Sequence, residues 1–112
     1  MSYTIWPDGS TGEILQDIYR ERFRQEELRL KGKFEYTCDS KEISNSYKLA
    51  ILGEEFGEVS KEVNEELNFL HKLAKDPCEV DHIKKAYHIR MRKELIQVAA
   101  VCVAWAESLE EK

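Results

Sequence analysis

The sequence lacks the features that mark membrane and secreted proteins. Its longest apolar run, from Leu95 to Ala106 with Gln97 as an interruption, is about ten residues long and too short to span a bilayer. Residues 1–8 contain neither the basic nor the apolar region of a signal peptide. We therefore expect no membrane association and a cytoplasmic location.

Cysteine and several well-known motifs are also scarce or missing. The three cysteines, Cys38, Cys78 and Cys102, are an odd number without metal-ligand spacing, so reduced thiols are expected. The sequence has no strand-like alternation of useful length, no internal repeat, no nucleophile elbow, no P-loop and no Cys/His zinc pattern. These absences disfavour β-rich folds and several common enzyme classes.

Positive charge is in deficit, which bears on possible partners. The 112 residues include 22 acidic and 17 basic side chains, for a formal net charge of −5. Non-specific nucleic-acid binding needs a basic patch, so no nucleic-acid partner is expected. A phosphate ligand stays possible, because a bound metal ion can reverse the local sign of the charge. The length suits a single domain over residues 1–112.

Apolar spacing and helix-end residues predict three helices. The predicted segments are an irregular arm over residues 1–9, a first helix from the capping box Ser10-Thr-Gly-Glu13 to about Leu30, a connecting loop over residues 32–43, and helices over about 46–73 and 79–110. The second and third helices are long and joined by a short link around Pro77. They are therefore predicted to pair as an antiparallel hairpin.

The apolar residues of these helices predict an oligomer. The second helix carries an apolar stripe of Leu49, Leu52, Phe56, Val59, Val63, Leu67 and Leu70. The segment from Val98 to Ala106 in the third helix is apolar on all sides, and two other helices barely cover it. We therefore predict an all-α chain, a hairpin plus an N-terminal helix. Its copies should pair into a four-helix-bundle core, as a dimer or tetramer, with Trp105 buried at the interface.

Two acidic clusters border the stripes. At about 100° per residue, Glu55, Glu58 and Glu62 fall within an arc of roughly 60° on the second helix. Glu94 and Gln97 are three residues apart and share a face of the third. An antiparallel hairpin brings these two groups opposite one another, where the carboxylates would repel. Oxygen ligands in this pattern suit a divalent cation such as Mg²⁺.

Each of these patterns also has an ordinary explanation. Glutamate is a good helix former, so a Glu-rich face is commonly just solvated. Gly53 and Gly57 favour a site, because glycine inside a helix costs about 1 kcal/mol relative to alanine and indicates close approach of another helix or a ligand. A basic stretch in the third helix fits either ion pairs with the acidic helix or contact with outer phosphates. It comprises Lys84, Lys85, Arg90, Arg92 and Lys93.

The acidic motifs resemble those of a known enzyme family. Glu54-Glu55-Phe56-Gly57-Glu58 and Glu94-Leu95-Ile96-Gln97 are similar to the EExxE and ExxD motifs of the MazG-like all-α nucleoside triphosphate pyrophosphohydrolases. The stretches from Leu49 to Val59 and from Glu94 to Trp105 look like short, single-domain members of phage or bacterial type. The resemblance covers most of residues 18–109.

The resemblance implies an activity and a set of ligands. The reaction would be metal-dependent hydrolysis of a nucleoside triphosphate to the monophosphate and pyrophosphate, with Mg²⁺, or alternatively Mn²⁺, activating a water that attacks the α-phosphorus. The residues that match the family's metal ligands are Glu55, Glu58 and Glu94, with Gln97 at a fourth position that is normally Asp. Glu54 or Glu62 would hold the water or a second metal ion. Paired protomers forming a four-helix core are implied as well.

Gln97 departs from the family pattern. An amide oxygen can bind Mg²⁺ but brings no charge, so affinity for the ion should fall. Either Glu62 compensates, or activity is weak, or this chain has lost catalysis. The alternative function is then a non-catalytic helical oligomer that serves as a nucleotide-binding regulator or an interaction module.

Overall fold

Helices form all of the regular structure within the described residues. The computed structural model describes residues 10–32, 38–73 and 75–110. The helices are α1 (Ser10–Leu30), α2 (Asn45–Lys72) and α3 (Pro77–Ser108), each ending within two residues of the predicted position. The all-α prediction is confirmed. The predicted arm over residues 1–9 lies outside the described residues, as do residues 33–37 of the predicted loop.

Local residues set the helix ends. Ser44 caps α2 by accepting a hydrogen bond from the backbone N–H of Tyr47 at 3.1 Å. Asp76 caps α3 in the same way, accepting from the N–H of Glu79 at 2.8 Å, and Pro77 occupies the first turn. Gly32 follows α1 with a φ of 79°, a left-handed conformation that favours glycine after a helix.

The second and third helices form the predicted antiparallel hairpin. Near the start of α2 and the end of α3, Trp105 Nε1 donates to Asn45 Oδ1 at 3.0 Å. At the opposite end the rings of Phe69 and Tyr87 lie 5.8 Å apart. Helix α1 packs on α3, and one of the contacts between them is an ion pair. α3 therefore contacts both other helices.

Arg22 fixes the position of α1. Its side chain is buried and forms ion pairs with Glu26 at 3.3 Å, with Asp39 in the loop at 3.4 Å, and with Glu107 of α3 at 3.3 Å. A guanidinium with several carboxylate partners can satisfy its fork of donors even where it is shielded from water. This contact joins α1, the following loop and the end of α3.

The face that α2 turns towards α3 includes buried charged residues as well as Ile51 and Leu52, which pack against the core. Lys48 is only 2% exposed, with its Nζ donating to Ser108 Oγ at 2.7 Å, and Glu62 is 6% exposed beside Arg90. The predicted apolar stripe is divided: Leu52 is half-buried, whereas four residues remain exposed. These four, the outer stripe, are Leu49, Phe56, Val63 and Leu67. At about 100° per residue the outer stripe lies roughly a quarter turn from the line facing α3.

A small core covers part of the apolar segment of α3. Val101 and Ala104 pack with Cys38, and Ala100 is fully buried, so this chain alone covers one side of the segment from Val98 to Ala106. Trp105 is half-buried against that cluster. That a second copy covers the rest of the segment, with Trp105 at the interface, stays a prediction. The exposed side of the segment comprises Cys102, Val103 and Ala106.

Two further properties follow from the fold. All three cysteines are free, with Cys38 buried and the other two exposed. No helix built from the described residues is both long and apolar enough to cross a membrane.

Candidate metal site and adjoining cleft

The hairpin brings together three side chains from the two acidic motifs. Gln97, with its amide oriented to donate, places Nε2 3.2 Å from Glu55 Oε2 and 3.1 Å from Glu94 Oε2. Glu55 comes from the middle of α2, and the other two lie one turn apart on α3. All three are half-buried. We call Glu55, Glu94 and Gln97 the oxygen trio.

Negative charge accumulates around the trio. Burial raises the pKa of the Glu55 carboxyl above its ordinary value of 4.5, and the charges of Glu94, Glu58, Glu21 and Glu54 raise it further. Each of these neighbours disfavours ionisation of Glu55. A cation at this place would relieve the repulsion.

The donor set fits a small divalent ion. Mg²⁺ binds oxygen at about 2.1 Å in octahedral geometry, so neighbouring ligand oxygens lie about 3.0 Å apart. The terminal amide atom of Gln97 stands 3.1–3.2 Å from both carboxylate oxygens. Rotating the amide by half a turn puts Oε1 in the place of Nε2, and this oxygen then stands at about the required spacing from each of the two carboxylates.

The trio by itself supplies only two carboxylates. No three His, Cys, Asp or Glu side chains within the described ranges are arranged so that they could hold an ion. Glu58 is exposed and lies about one turn from Glu55 on α2, and its charge helps to raise the pKa of Glu55. Water or phosphate oxygens would have to complete the coordination of Mg²⁺, which commonly keeps such ligands.

The other predicted acidic residues have different surroundings. Glu54 is exposed next to the trio. Glu62 lies seven residues beyond Glu55, about 10 Å along the helix axis, and its Oε2 is 3.0 Å from Arg90 Nε. The structure therefore brings Glu55, Glu94 and Gln97 into contact, keeps Glu54 and Glu58 close by, and places Glu62 in an ion pair.

The two glycines of α2 do not mark a close approach within this chain. A Cβ built on Gly53 or Gly57 would meet nothing within 4 Å among the described residues. Close approach of a ligand or of a helix from a second copy at these positions stays a prediction.

α1 contributes residues that the motif analysis missed. Glu21 acts on the Glu55 carboxyl and is itself held by Arg24, whose Nε and Nη2 donate to the two Glu21 oxygens at 2.8 and 2.6 Å. The pKa of Arg24 is raised, first by its hydrogen bonds to Glu21 and further by the charge of Glu55. The dense run of charges from Arg20 to Arg24 is the only indication in the sequence, and it does not specify which residues face α3.

A cleft between α1 and α3 adjoins the trio. Its volume is about 670 Å³, and Gln97 belongs to both the cleft and the trio. The charged lining residues are Asp17, Arg20, Glu21, Arg24, Arg92 and Lys93. Four cations against two carboxylates give this lining a net charge of +2 in a chain whose net charge is −5.

The basic stretch of α3 divides between its two predicted roles. Arg90 pairs with Glu62 of α2, as expected if the stretch forms ion pairs with the acidic helix. Lys85 pairs with Asp81 within α3 at 3.1 Å. Arg92 and Lys93 instead line the cleft. Only these two stand where contact with a ligand beside the trio is geometrically possible.

The raised pKa of Glu55 predicts how metal-free stability depends on pH. Between pH 4.5 and the raised folded-state pKa, the folded chain binds more protons at Glu55 than the unfolded chain does. Stability should therefore fall as pH rises through this window and then level off. Glu55→Gln should remove this part of the decline and raise the melting temperature at neutral pH in the presence of EDTA.

Thermal melting between pH 4.5 and 8 measures this effect. Glu42→Gln is the matched control, because Glu42 is an exposed carboxylate in the loop before α2, outside the trio. An equal response of both variants would show that Glu55 experiences no special repulsion.

Comparison of the chain with known protein families, with curated proteins and with solved structures finds no match.

Proposed function

We propose that this protein is a metal-dependent nucleoside triphosphate pyrophosphohydrolase that uses Mg²⁺ or Mn²⁺. The observation that carries the proposal is that the Gln97 amide meets carboxylate oxygens of both Glu55 and Glu94, from two different helices, at 3.2 and 3.1 Å. The resemblance of the two motifs to the MazG-like family supports it. A cationic cleft beside the trio supports it too, because a nucleotide needs both a metal site and a place for its phosphates.

The chain's own residues would hold and orient the reactants. When bound, the ion would neutralise phosphate charge and lower the pKa of a water molecule. Glu55 and Glu94 would hold it from two helices, Glu58 would add a third carboxylate, and Gln97 would offer its amide oxygen. Water adds to the α-phosphorus as the bond to the oxygen bridging the α- and β-phosphates breaks, so that nucleoside monophosphate and pyrophosphate are released.

Glu54 is the better candidate to accept a proton from the attacking water. It is exposed beside the trio, so its carboxylate is available to a bound nucleotide. Glu62 is engaged by Arg90 at 3.0 Å, and using it would require that ion pair to open.

The proposal includes assembly of the chain into a homo-oligomer. The chain exposes 8516 Å² of surface, whereas a compact 13.1 kDa monomer exposes about 6,400 Å². Its radius of gyration is 17.5 Å, against about 13 Å for a compact chain of this length. The outer stripe of α2 is the natural contact, since Leu49, Phe56 and Val63 recur every seven residues and are all exposed.

One observation favours the non-catalytic alternative. The Gln97 amide can bridge Glu55 and Glu94 by donating to both, which links the two helices without any ion. An aspartate carboxylate has no donor and could not do this. A chain that uses Gln97 in this way would keep the fold and could bind nucleotides without hydrolysing them.

Pyrophosphate release separates the two functions. We expect the protein to release pyrophosphate from at least one member of a panel of ribo- and deoxyribonucleoside triphosphates when Mg²⁺ or Mn²⁺ is present, and from none in EDTA. Retention of every nucleotide intact with either ion would support the non-catalytic regulator.

A further inference from the structure

We propose that the cleft between α1 and α3 binds a polyphosphate chain, such as the β- and γ-phosphates of a nucleotide, through Lys93 and Arg92, with Arg20 and Arg24 on the opposite wall. The inference deepens the proposed function and rests on it for the identity of the natural ligand. It assigns to α1 a part in ligand binding that neither acidic motif contains.

The ion pairs of the cleft leave positive charge available. Asp17 is shared between Arg20 at 2.9 Å and Arg92 at 2.8 Å, so one carboxylate faces two guanidinium groups. Lys93 is exposed and pairs with no carboxylate among the described residues. The group of Asp17, Arg20 and Arg92 has one positive charge in excess, and Lys93 adds a second. Arg24 and Glu21 cancel, so the net charge of the lining is +2.

The guanidinium groups are already oriented. Asp17 holds Arg92 across the cleft, and Glu21 holds Arg24 through two hydrogen bonds. Side chains that are ordered before binding lose less conformational freedom when a ligand arrives. Guanidinium groups suit phosphate, because their fork of donors matches two phosphate oxygens.

The cleft is continuous with the oxygen trio. Lys93 and Gln97 are four residues apart on α3, so they lie on one face of the helix and about 6 Å apart along its axis. Gln97 lines the cleft and touches Glu55 and Glu94. A chain of phosphates can therefore lie with one end at the trio and the other at Lys93.

The size and sign of the cleft point to the same ligand class. A volume of about 670 Å³ is within the range usual for small-molecule sites. A positive lining is unexpected on a chain with a net charge of −5, because the average surface of such a protein repels anions. The basic residues are concentrated beside the acidic trio, where a metal-bound polyphosphate needs both signs of charge.

Calorimetric titration with inorganic tripolyphosphate tests the inference. The parent protein should bind the probe in Mg²⁺, and AMP, which has a single phosphate, should bind at least tenfold more weakly. Loss of one charge-assisted phosphate contact weakens binding about tenfold. Lys93→Gln should therefore cost about tenfold, and the double variant Arg92→Gln with Lys93→Gln about a hundredfold.

Two matched controls lie outside the cleft. Lys85→Gln changes an exposed lysine of α3 that pairs with Asp81, and Arg29→Gln changes an arginine of α1 that pairs with Glu26. Both should bind tripolyphosphate as the parent does. Circular dichroism checks that each variant keeps its helices. Lys93 has no partner among the described residues, so the single variant should fold normally.

The outcomes distinguish this inference from the proposed function. If the cleft variants bind tripolyphosphate as tightly as the controls do, or if the parent does not bind it, the inference is wrong even where nucleotides are hydrolysed. If the cleft variants lose binding while no nucleotide is hydrolysed, the cleft assignment stands and the enzymatic proposal fails.

Discussion

Replacing Glu55 by glutamine is expected to abolish pyrophosphate release and the thermal stabilisation that Mn²⁺ confers. Glu55 is a half-buried carboxylate from α2 that meets Glu94 and Gln97 of α3. The substitution leaves one carboxylate, Glu94, beside two amides. Because bound ions supply several kcal/mol of transition-state stabilisation, the rate should fall at least about a hundredfold. Melting curves with and without Mn²⁺, and a pyrophosphate assay, measure the two effects.

Glu55→Gln has a second consequence of opposite sign. The metal-free variant should be more stable than the parent at neutral pH, because the repulsion that raises the Glu55 pKa is removed. In saturating Mn²⁺ the order should reverse, since the ion stabilises only the chain that binds it, by about 2.7 kcal/mol at a hundred times the Kd. If the substitution simply damaged the fold, the variant would melt below the parent both without Mn²⁺ and with it.

Gln97→Asp is expected to have the opposite effects on metal binding and on metal-free stability. It adds a negative charge beside Glu55 and Glu94, and it removes the amide that donates to both. Mn²⁺ should bind more tightly, and the metal-free protein should melt at a lower temperature. If Mn²⁺ shifts no melting curve for the parent, Glu55→Gln or Gln97→Asp, and none hydrolyses a nucleotide, the trio holds no ion and the enzymatic proposal is wrong.

Phe56→Asp is expected to convert the oligomer into a monomer. Phe56 is 60% exposed in the centre of the outer stripe. Burying a phenylalanine is worth about 1.5–3 kcal/mol, and a two-fold interface contains it twice. A charge at this position should raise the dissociation constant at least about a hundredfold. Sedimentation velocity at micromolar concentration should show a smaller species that keeps its helical circular dichroism.

Asn68→Asp is the control for Phe56→Asp, because Asn68 is an exposed polar residue of α2 outside the outer stripe. Its sedimentation should equal that of the parent. A parent protein that sediments as a monomer, or a Phe56→Asp variant that keeps the mass of the parent, would remove the outer stripe as the interface. A substitution of Trp105 would test the interface less cleanly, because Trp105 packs within its own chain and donates to Asn45, so its loss would also disturb the fold.

The sequence by itself determined the helices and their ends. Ser44, Asp76 and Pro77 act on the backbone a few residues away, through caps and a fixed φ, so no distant contact is needed to place them. The hairpin followed from two long helices and a short link. The opposition of Glu55 to Glu94 and Gln97 followed in turn from antiparallel register, because three-residue spacing keeps such pairs on one helix face.

The tertiary structure decided which faces meet. Apolar spacing alone suggests that Phe56 points into the core, yet α2 presents Lys48, Glu55 and Glu62 to α3 and leaves Phe56 exposed. The rotation of a helix about its axis depends on all of its neighbours at once. The buried Lys48 donates to the Ser108 hydroxyl and Glu62 forms an ion pair with Arg90, and a local pattern that assigns both charges to solvent does not predict these contacts between distant residues.

The cleft likewise depends on a long-range contact. Arg20, Glu21 and Arg24 become neighbours of Gln97 only because α1 packs on α3, where Asp17 pairs with Arg92 and Arg22 with Glu107. The partners of the first pair are 75 positions apart in the sequence, and those of the second pair are 85 positions apart. Helical periodicity states which residues of α1 share a face, but only the packed structure states what that face meets.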